Sequence, residues 1–189
     1  MGRPRTAVGM SLADKISILR ILLVPAIVAS LVYYHPERDG LRYLTLGLFV
    51  IGMVTDALDG LIARAQGQQS QLGTLLDPIA DKLLILSTLI SCSVIRGLPD
   101  WMRIPAWFNL LVISRDVLIV SGTIVIFAMQ GTWRVRPSWL GKWATFAQML
   151  VIPIVLLGLP AKMPLLIVAA LLTVFSAITY VRFGIRILG

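Results

Sequence analysis

Met163-Pro-Leu-Leu-Ile-Val-Ala-Ala-Leu-Leu-Thr-Val-Phe-Ser-Ala-Ile-Thr-Tyr180 is a run of 18 residues without a charge. A helix needs about 20 mostly apolar residues to cross the hydrocarbon core of a bilayer. Carried on to Arg182, this run predicts a spanning helix. Residues 16–34, 41–64, 75–95, 104–129 and 139–159 have the same length and character. Backbone polar groups in hydrocarbon must be satisfied within the structure, which leaves helices and closed barrels. No stretch alternates with period two, so the expected fold is all-α: an integral membrane bundle of six transmembrane helices, one domain over residues 1–189.

Composition agrees. The chain is 58% hydrophobic and only 14% charged, with a mean hydropathy of +0.89. Soluble domains have about 45–50% apolar and about 25% charged residues. Too few charges are present to cover a water-facing surface. The net charge of +8 is assigned to cytoplasmic loops and anionic lipids rather than to nucleic acid. Cys92 is the single cysteine, which excludes an intrachain disulfide, and His35 is the single histidine. A histidine-centred site or a His/Cys zinc site is therefore not expected. The basic residues 1–5 precede an apolar stretch interrupted by Arg20 and Pro25, which reads as a retained helix rather than a cleaved signal.

Turn residues punctuate the spans at 35–40, 67–71, 96–100, 132–138 and 160–162. Six spans put both termini on one side. With that side inside, the inner ends carry Arg3, Arg5, Lys15, Arg64, Arg134, Arg136, Lys142, Arg182 and Arg186, and the outer ends Arg38, Arg42, Arg96, Arg103 and Lys162. This asymmetry favours cytoplasmic termini. Trp101, Trp107, Trp133, Trp139 and Trp143 fall near span ends, as an interfacial belt requires.

The chemistry concentrates in residues 55–82. A lone charge at the centre of a spanning helix costs about 2.5–3.5 kcal/mol on insertion scales, yet Asp56, Asp59, Asp77 and Asp81 crowd two adjacent helix ends. Asp56 and Asp59 are three residues apart and share a helix face; Asp77 and Asp81, four apart, share a face on the next helix. A short connection makes these two helices expected antiparallel neighbours. Facing each other, they offer an all-oxygen cage that suits Mg²⁺, Mn²⁺ or Ca²⁺. Arg64 is a planar donor for phosphate, Gly60 and Ala63 permit close approach, and Gly73 gives a tight entry to the third helix. The same acids also suit a cation or proton carrier, and the residues alone leave both readings open.

The spacing Asp56-x2-Asp59-Gly60-x2-Ala63-Arg64-x8-Gly73-x3-Asp77-x3-Asp81 resembles the signature of the CDP-alcohol phosphotransferase family at each fixed position, and the six helices resemble that family along most of the chain. The resemblance implies that Asp56, Asp59, Asp77 and Asp81 hold two divalent metals, Mg²⁺ or Mn²⁺. It implies that Asp59, Gly60, Ala63, Arg64 and Gly73 border the CDP moiety, and that Asp81 is the general base on the acceptor hydroxyl. The implied reaction transfers the phosphatidyl group of CDP-diacylglycerol and releases CMP. Arg20 and Pro25 resemble the family's first helix, although many relatives have Asn where Asp14 stands and Thr where Ser17 stands. The segment 113–116 and Gly141-Lys142 resemble those of phosphatidylglycerophosphate synthases and the related cardiolipin synthases. Arg115, Lys142 and Arg20 are thereby the candidates for binding the acceptor, with glycerol-3-phosphate first and phosphatidylglycerol as the alternative. For Asp116, local pairing is expected rather than catalysis. The resemblance further implies a homodimer in a bacterial cytoplasmic membrane.

Overall fold

In the computed structural model six α-helices follow one another: α1 Leu12–Val32, α2 Gly40–Gln66, α3 Gln71–Val94, α4 Ala106–Gln130, α5 Trp139–Leu157 and α6 Lys162–Leu188. The structure describes residues 12–37, 39–66, 71–130 and 138–188, and describes their side chains except at 12–14, 57–66, 71–78, 127, 130 and 186–188. Among the described residues there is no strand. The expected turns at 67–70 and 132–137, and Arg3, Arg5, Arg38, Trp133, Arg134 and Arg136, lie outside the described residues.

Four helices are long and apolar enough to cross a membrane by length and composition: Lys15–Val32, Ala106–Ile126, Trp139–Leu157 and Lys162–Ile185. Their outward faces carry large apolar side chains, among them Leu110, Val117, Val120 and Ile124 on α4 and Ile167, Leu171 and Phe175 on α6. Helices α2 and α3 have comparable lengths of 27 and 24 residues but carry the charged residues around Asp56 and Asp81. Helix α6 continues past the expected end at Arg182 to Leu188. Charge ends a membrane span, but Arg, Ile and Leu do not end a helix.

Helix α1 packs most extensively on α3 and next on α2; α5 packs on α6, which also packs on α4. Among the described residues α2 and α3, adjacent in sequence, share few contacts, and α1 packs against both. Where α2 does reach α3 it does so at Gly52: a Cβ there would stand 2.8 Å from Leu84 Cδ2. Lipid supplies no hydrophobic drive between helices, so packing and interhelical hydrogen bonds hold such bundles. Buried polar pairs serve here: Ser30 Oγ with Thr45 Oγ1 at 2.7 Å between α1 and α2, Asn109 Nδ2 donating to Leu89 O at 3.1 Å between α4 and α3, and Gln148 Nε2 donating to Thr173 Oγ1 at 2.9 Å between α5 and α6.

One end of the bundle is closed. Lys162, at the start of α6, donates through Nζ to three carbonyls of the α3–α4 connection: Asp100 O at 3.1 Å, Trp101 O at 3.1 Å and Arg103 O at 2.8 Å. Arg42, at the start of α2, stacks over the rings of Tyr43 and Trp101. Ile104 N donates back to Cys92 O at 3.1 Å, closing the connection onto α3. Below this lid lies the apolar core, including Ile27, Leu31, Phe49, Leu89, Phe108, Ile152, Leu156 and Leu166.

Helix α5 ends at this lid on Gly158, whose φ of 68° is left-handed and whose N–H caps the last carbonyls. A Cβ at Gly158 would also stand 3.3 Å from the Trp101 ring. Gly158→Ala is expected to lose about 1–2 kcal/mol, the scale of a left-handed residue bearing a Cβ, and to melt several degrees lower in detergent. An unchanged melting temperature would show that the α5–α6 turn does not constrain the fold.

Candidate active site

The opposite end is open. Asp56 of α2 and Asp81 of α3 line one cavity of about 410 Å³ together with Arg115 of α4, Ser138, Gly141, Lys142, Thr145, Phe146 and Met149 of the α5 segment, and Tyr180 of α6. The structure thus brings together Asp56, Asp81, Arg115 and Lys142, four residues singled out in the sequence from four different helices. Asp59 stands one turn beyond Asp56 on α2, and Asp77 one turn before Asp81 on α3. The side chains of Asp59, Gly60, Ala63, Arg64, Gly73 and Asp77 lie outside the described residues. Arg20 takes a different wall. It is buried on α1 and its Nη1 ion-pairs with Asp56 Oδ1; it is not among the described residues lining the cavity with Arg115 and Lys142.

The α5 segment begins at the cavity for a local reason. Ser138 has extended backbone (φ −70°, ψ 144°) and its Oγ accepts from Gly141 N at 3.0 Å. This side chain satisfies a backbone donor that the first turn leaves over, and it fixes where α5 starts. Lys142 follows in the first turn. A Cβ at Gly141 would meet Arg115 Nη2 at 2.9 Å and Ser138 Oγ at 3.0 Å, so one of these side-chain ends would have to shift.

Arg115 is 7% exposed and is held at both amino groups. Its Nη1 donates to Asp116 Oδ1 at 2.7 Å; its Nη2 donates to Ser176 Oγ at 3.0 Å and to Gly141 O at 3.4 Å. Its Nε is buried without a hydrogen-bond partner among the described residues. Local pairing of Asp116 with Arg115 is therefore found, and Asp116 also accepts from Lys82 Nζ at 2.8 Å through Oδ2.

Carboxylates from α2 and α3 thus share a single space with cations from α4 and α5. The described acidic donors of the cavity are carboxylate oxygens, with no His or Cys beside them. Among the described residues no group of three or more His, Cys, Asp or Glu gathers. Oxygen-only donors fit a hard divalent cation rather than zinc.

Ser176 and Tyr180 went unread in the sequence. They are four apart on α6, hence on one face, but an uninterrupted apolar run gave no local sign of them. Ser138 reads in the sequence only as the end of a turn, and neither its capping of α5 nor the steric demand at Gly141 was anticipated.

Residues 10–177 match the sequence profile of the family described as CDP-alcohol phosphatidyltransferase. The chain belongs to this family. It is 33% identical over 193 residues to a Mycobacterium tuberculosis protein named as a probable phosphatidylglycerophosphate synthase, covering 100% of this chain and 87% of that one. It is 34% identical over 172 residues to the CDP-diacylglycerol–glycerol-3-phosphate 3-phosphatidyltransferase of Haemophilus influenzae, covering 88% and 89% of the two chains. A Mycobacterium bovis protein bearing the name of a cardiolipin synthase is 33% identical over 149 residues, 79% of this chain and 66% of its own length. Membership in a transferase family decides between the two readings that the clustered acids left open: the chain is a CDP-alcohol phosphatidyltransferase, not an ion carrier.

The fit of Gly141 against Arg115 gives a direct check on the cavity. In the Gly141→Ala enzyme the guanidinium has to shift against Ser176 and Gly141 O. The Michaelis constant for the acceptor alcohol is expected to rise severalfold while that for the CDP-lipid stays within twofold, measured as CMP release by protein whose helical circular dichroism is unchanged. Equal change in both constants would place Arg115 outside the acceptor side of the cavity.

Proposed function

We propose that this enzyme transfers the phosphatidyl group of CDP-diacylglycerol to glycerol-3-phosphate, giving phosphatidylglycerophosphate and CMP. The observation that carries this reading is the single cavity in which Asp56 and Asp81 face Arg115 and Lys142. A phosphorylated acceptor requires both kinds of group: a base for its hydroxyl and cations for its phosphate.

Asp81 takes the proton of the acceptor hydroxyl. The oxygen so freed attacks the lipid-linked phosphorus of CDP-diacylglycerol, a new P–O bond forms, and the P–O bond to CMP breaks. Arg115 and Lys142 meet the acceptor phosphate, which the buried guanidinium recognises through directed donors and the exposed ammonium as a compact charge. Arg20, paired with Asp56, holds that carboxylate in place; Arg64, Gly60, Ala63 and Gly73 are assigned to the CDP side on the family signature. Asp56, Asp59, Asp77 and Asp81 would hold Mg²⁺ or Mn²⁺, which in such sites neutralises charge developing on phosphoryl oxygens.

An apolar groove of about 480 Å³ runs beside the cavity and shares Arg115 and Tyr180 with it. Its flanks of Leu86, Val117, Val120 and Ile124 suit the acyl chains of a lipid substrate. The same groove favours the second reading, phosphatidylglycerol as acceptor and cardiolipin as product, which the name of the Mycobacterium bovis relative also supports.

We extend the proposal to placement. Helices α2 and α3 also cross the membrane: they expose Tyr43, Leu44, Val50 and Ile51, and Ile79, Leu83, Ile90 and Val94 respectively. The excess of Lys and Arg at the terminal side puts the open cavity at the cytoplasmic face of a bacterial cytoplasmic membrane. The homodimer rests on the family resemblance.

CMP release by the purified protein in detergent, with CDP-diacylglycerol, Mg²⁺ or Mn²⁺ and a panel of acceptors, tests the reading. Release is expected with glycerol-3-phosphate and to vanish with a chelator; release with phosphatidylglycerol alone would install the second reading. Asp81→Asn is expected to slow turnover by about 10²–10⁴-fold, the range for loss of a general base, in a protein that still folds. Normal turnover in that variant removes Asp81 as the base.

A further inference from the structure

A continuous polar chain runs across the open end, and the transfer reaction accounts for only part of it. Lys82 Nζ donates to Asp116 Oδ2 at 2.8 Å, Asp116 Oδ1 accepts from Arg115 Nη1 at 2.7 Å, and Arg115 Nη2 donates to Ser176 Oγ at 3.0 Å and to Gly141 O at 3.4 Å. Four helices, α3, α4, α5 and α6, are tied in that order. Lys82 directly follows Asp81, and Gly141 directly precedes Lys142. The chain therefore links the residue beside the base to the cations on the acceptor side.

Two physical consequences follow. An arginine side chain has several rotatable bonds, and binding an anion with it means ordering it. Here both amino groups are already fixed by neighbours on other helices, so the ordering is done before the acceptor arrives. The second consequence is charge. A buried arginine facing one aspartate forms a neutral pair and attracts an anion poorly. Asp116 is divided between two cations, so Lys82, Asp116 and Arg115 together keep one net positive charge. Asp116 is 14% exposed, Arg115 7% and Lys82 33%, so solvent screens the inner part of this charge weakly.

We infer that Asp116, held by Lys82, is a positioning residue for Arg115: the Lys82–Asp116–Arg115 triad fixes where the acceptor's phosphate sits relative to Asp81 and leaves that place positively charged, so that it selects a phosphate-bearing acceptor. Asp116 and Lys82 touch no reacting atom in this scheme and act through Arg115. The inference rests on the reading above, in which Arg115 meets the acceptor phosphate.

The test is a steady-state comparison on the full chain in detergent, following CMP release while glycerol-3-phosphate and CDP-diacylglycerol are varied in turn. Arg115→Ala sets the reference and is expected to raise the Michaelis constant for glycerol-3-phosphate at least tenfold, with that for CDP-diacylglycerol within twofold. Asp116→Asn and Lys82→Met are each expected to raise the glycerol-3-phosphate constant about tenfold, the scale of a hydrogen bond to a charged group. Asp116→Glu and Lys82→Arg are expected to recover part of that, and they keep the test open if the harsher variants do not fold. The decisive variant is Arg115→Ala with Asp116→Asn: because Asp116 acts through Arg115, the double change is expected to be no worse than Arg115→Ala alone.

Each other result overturns a stated part. If Arg115→Ala raises the acceptor constant but the Asp116 and Lys82 variants do not, the positioning role is wrong and the proposed function stands. If the double variant shows the two losses multiplied, Asp116 acts independently of Arg115 and the inference is wrong. If the Asp116 and Lys82 variants lower the melting temperature and kcat with both Michaelis constants unchanged, the triad only ties α3 to α4. If Arg115→Ala leaves the acceptor constant unchanged, the assignment of Arg115 to the acceptor phosphate goes, and the inference with it.

Discussion

A charge in an apolar surrounding has to be answered by another charge, and this requirement shapes the open half of the bundle. Taking an ion out of water costs several kcal/mol even after the protein relaxes. Arg20 is 1% exposed and is answered by Asp56; Arg115 is answered by Asp116, and Asp116 again by Lys82. The ion pairs Arg20–Asp56 and Lys82–Asp116 join α1 to α2 and α3 to α4, and hydrogen bonds from Arg115 to Gly141 O and Ser176 Oγ carry α4 on to α5 and α6. The candidate active-site cavity is the space these joints surround. Removing one partner leaves its mate exposed to a poor solvent, which is why the site and the fold cannot be separated at this end.

The cavity's chemistry follows from the mixture it contains. Carboxylates alone would hold cations and do nothing with a phosphate; cations alone would bind a phosphate and take no proton. Asp56 and Asp81 on one side and Arg115 and Lys142 on the other meet both demands within one space. The two cations differ in kind. Arg115 is buried and pinned, a fixed template, whereas Lys142 is exposed at the first turn of α5 and can follow the ligand. Between the polar cavity and the apolar groove stand Arg115 and Tyr180, common to the walls of both, as suits an enzyme whose substrates are half headgroup and half hydrocarbon.

Much of this was legible in the chain. Helices announce themselves by long apolar runs because hydrocarbon permits no other way to satisfy the backbone, and all six appear within a few residues of the expected limits except at the end of α6. The acids were legible because Asp56 and Asp81 are expensive where they stand and fall at fixed helical spacing. Arg115 and Lys142 were reached through resemblance, not through local pattern. The remainder was hidden for physical reasons. Nothing local to Gly141 says that a guanidinium from α4 will pass over it, and nothing in the apolar run of α6 marks Ser176 as its partner. Proximity between distant segments is a property of packing, and connection length gave no sign that α1 would pack on both α2 and α3.

The closed end has a meaning for how such a molecule can change over evolutionary time. The lid formed by Lys162 on three carbonyls, with the apolar core beneath it, secures the helices away from the candidate site. Side chains around the cavity can therefore be exchanged without loosening that anchorage. A scaffold divided in this way separates the inheritance of a shape from the inheritance of an activity. New acceptor alcohols can be tried at one end of the helices while the other end keeps the lineage folded.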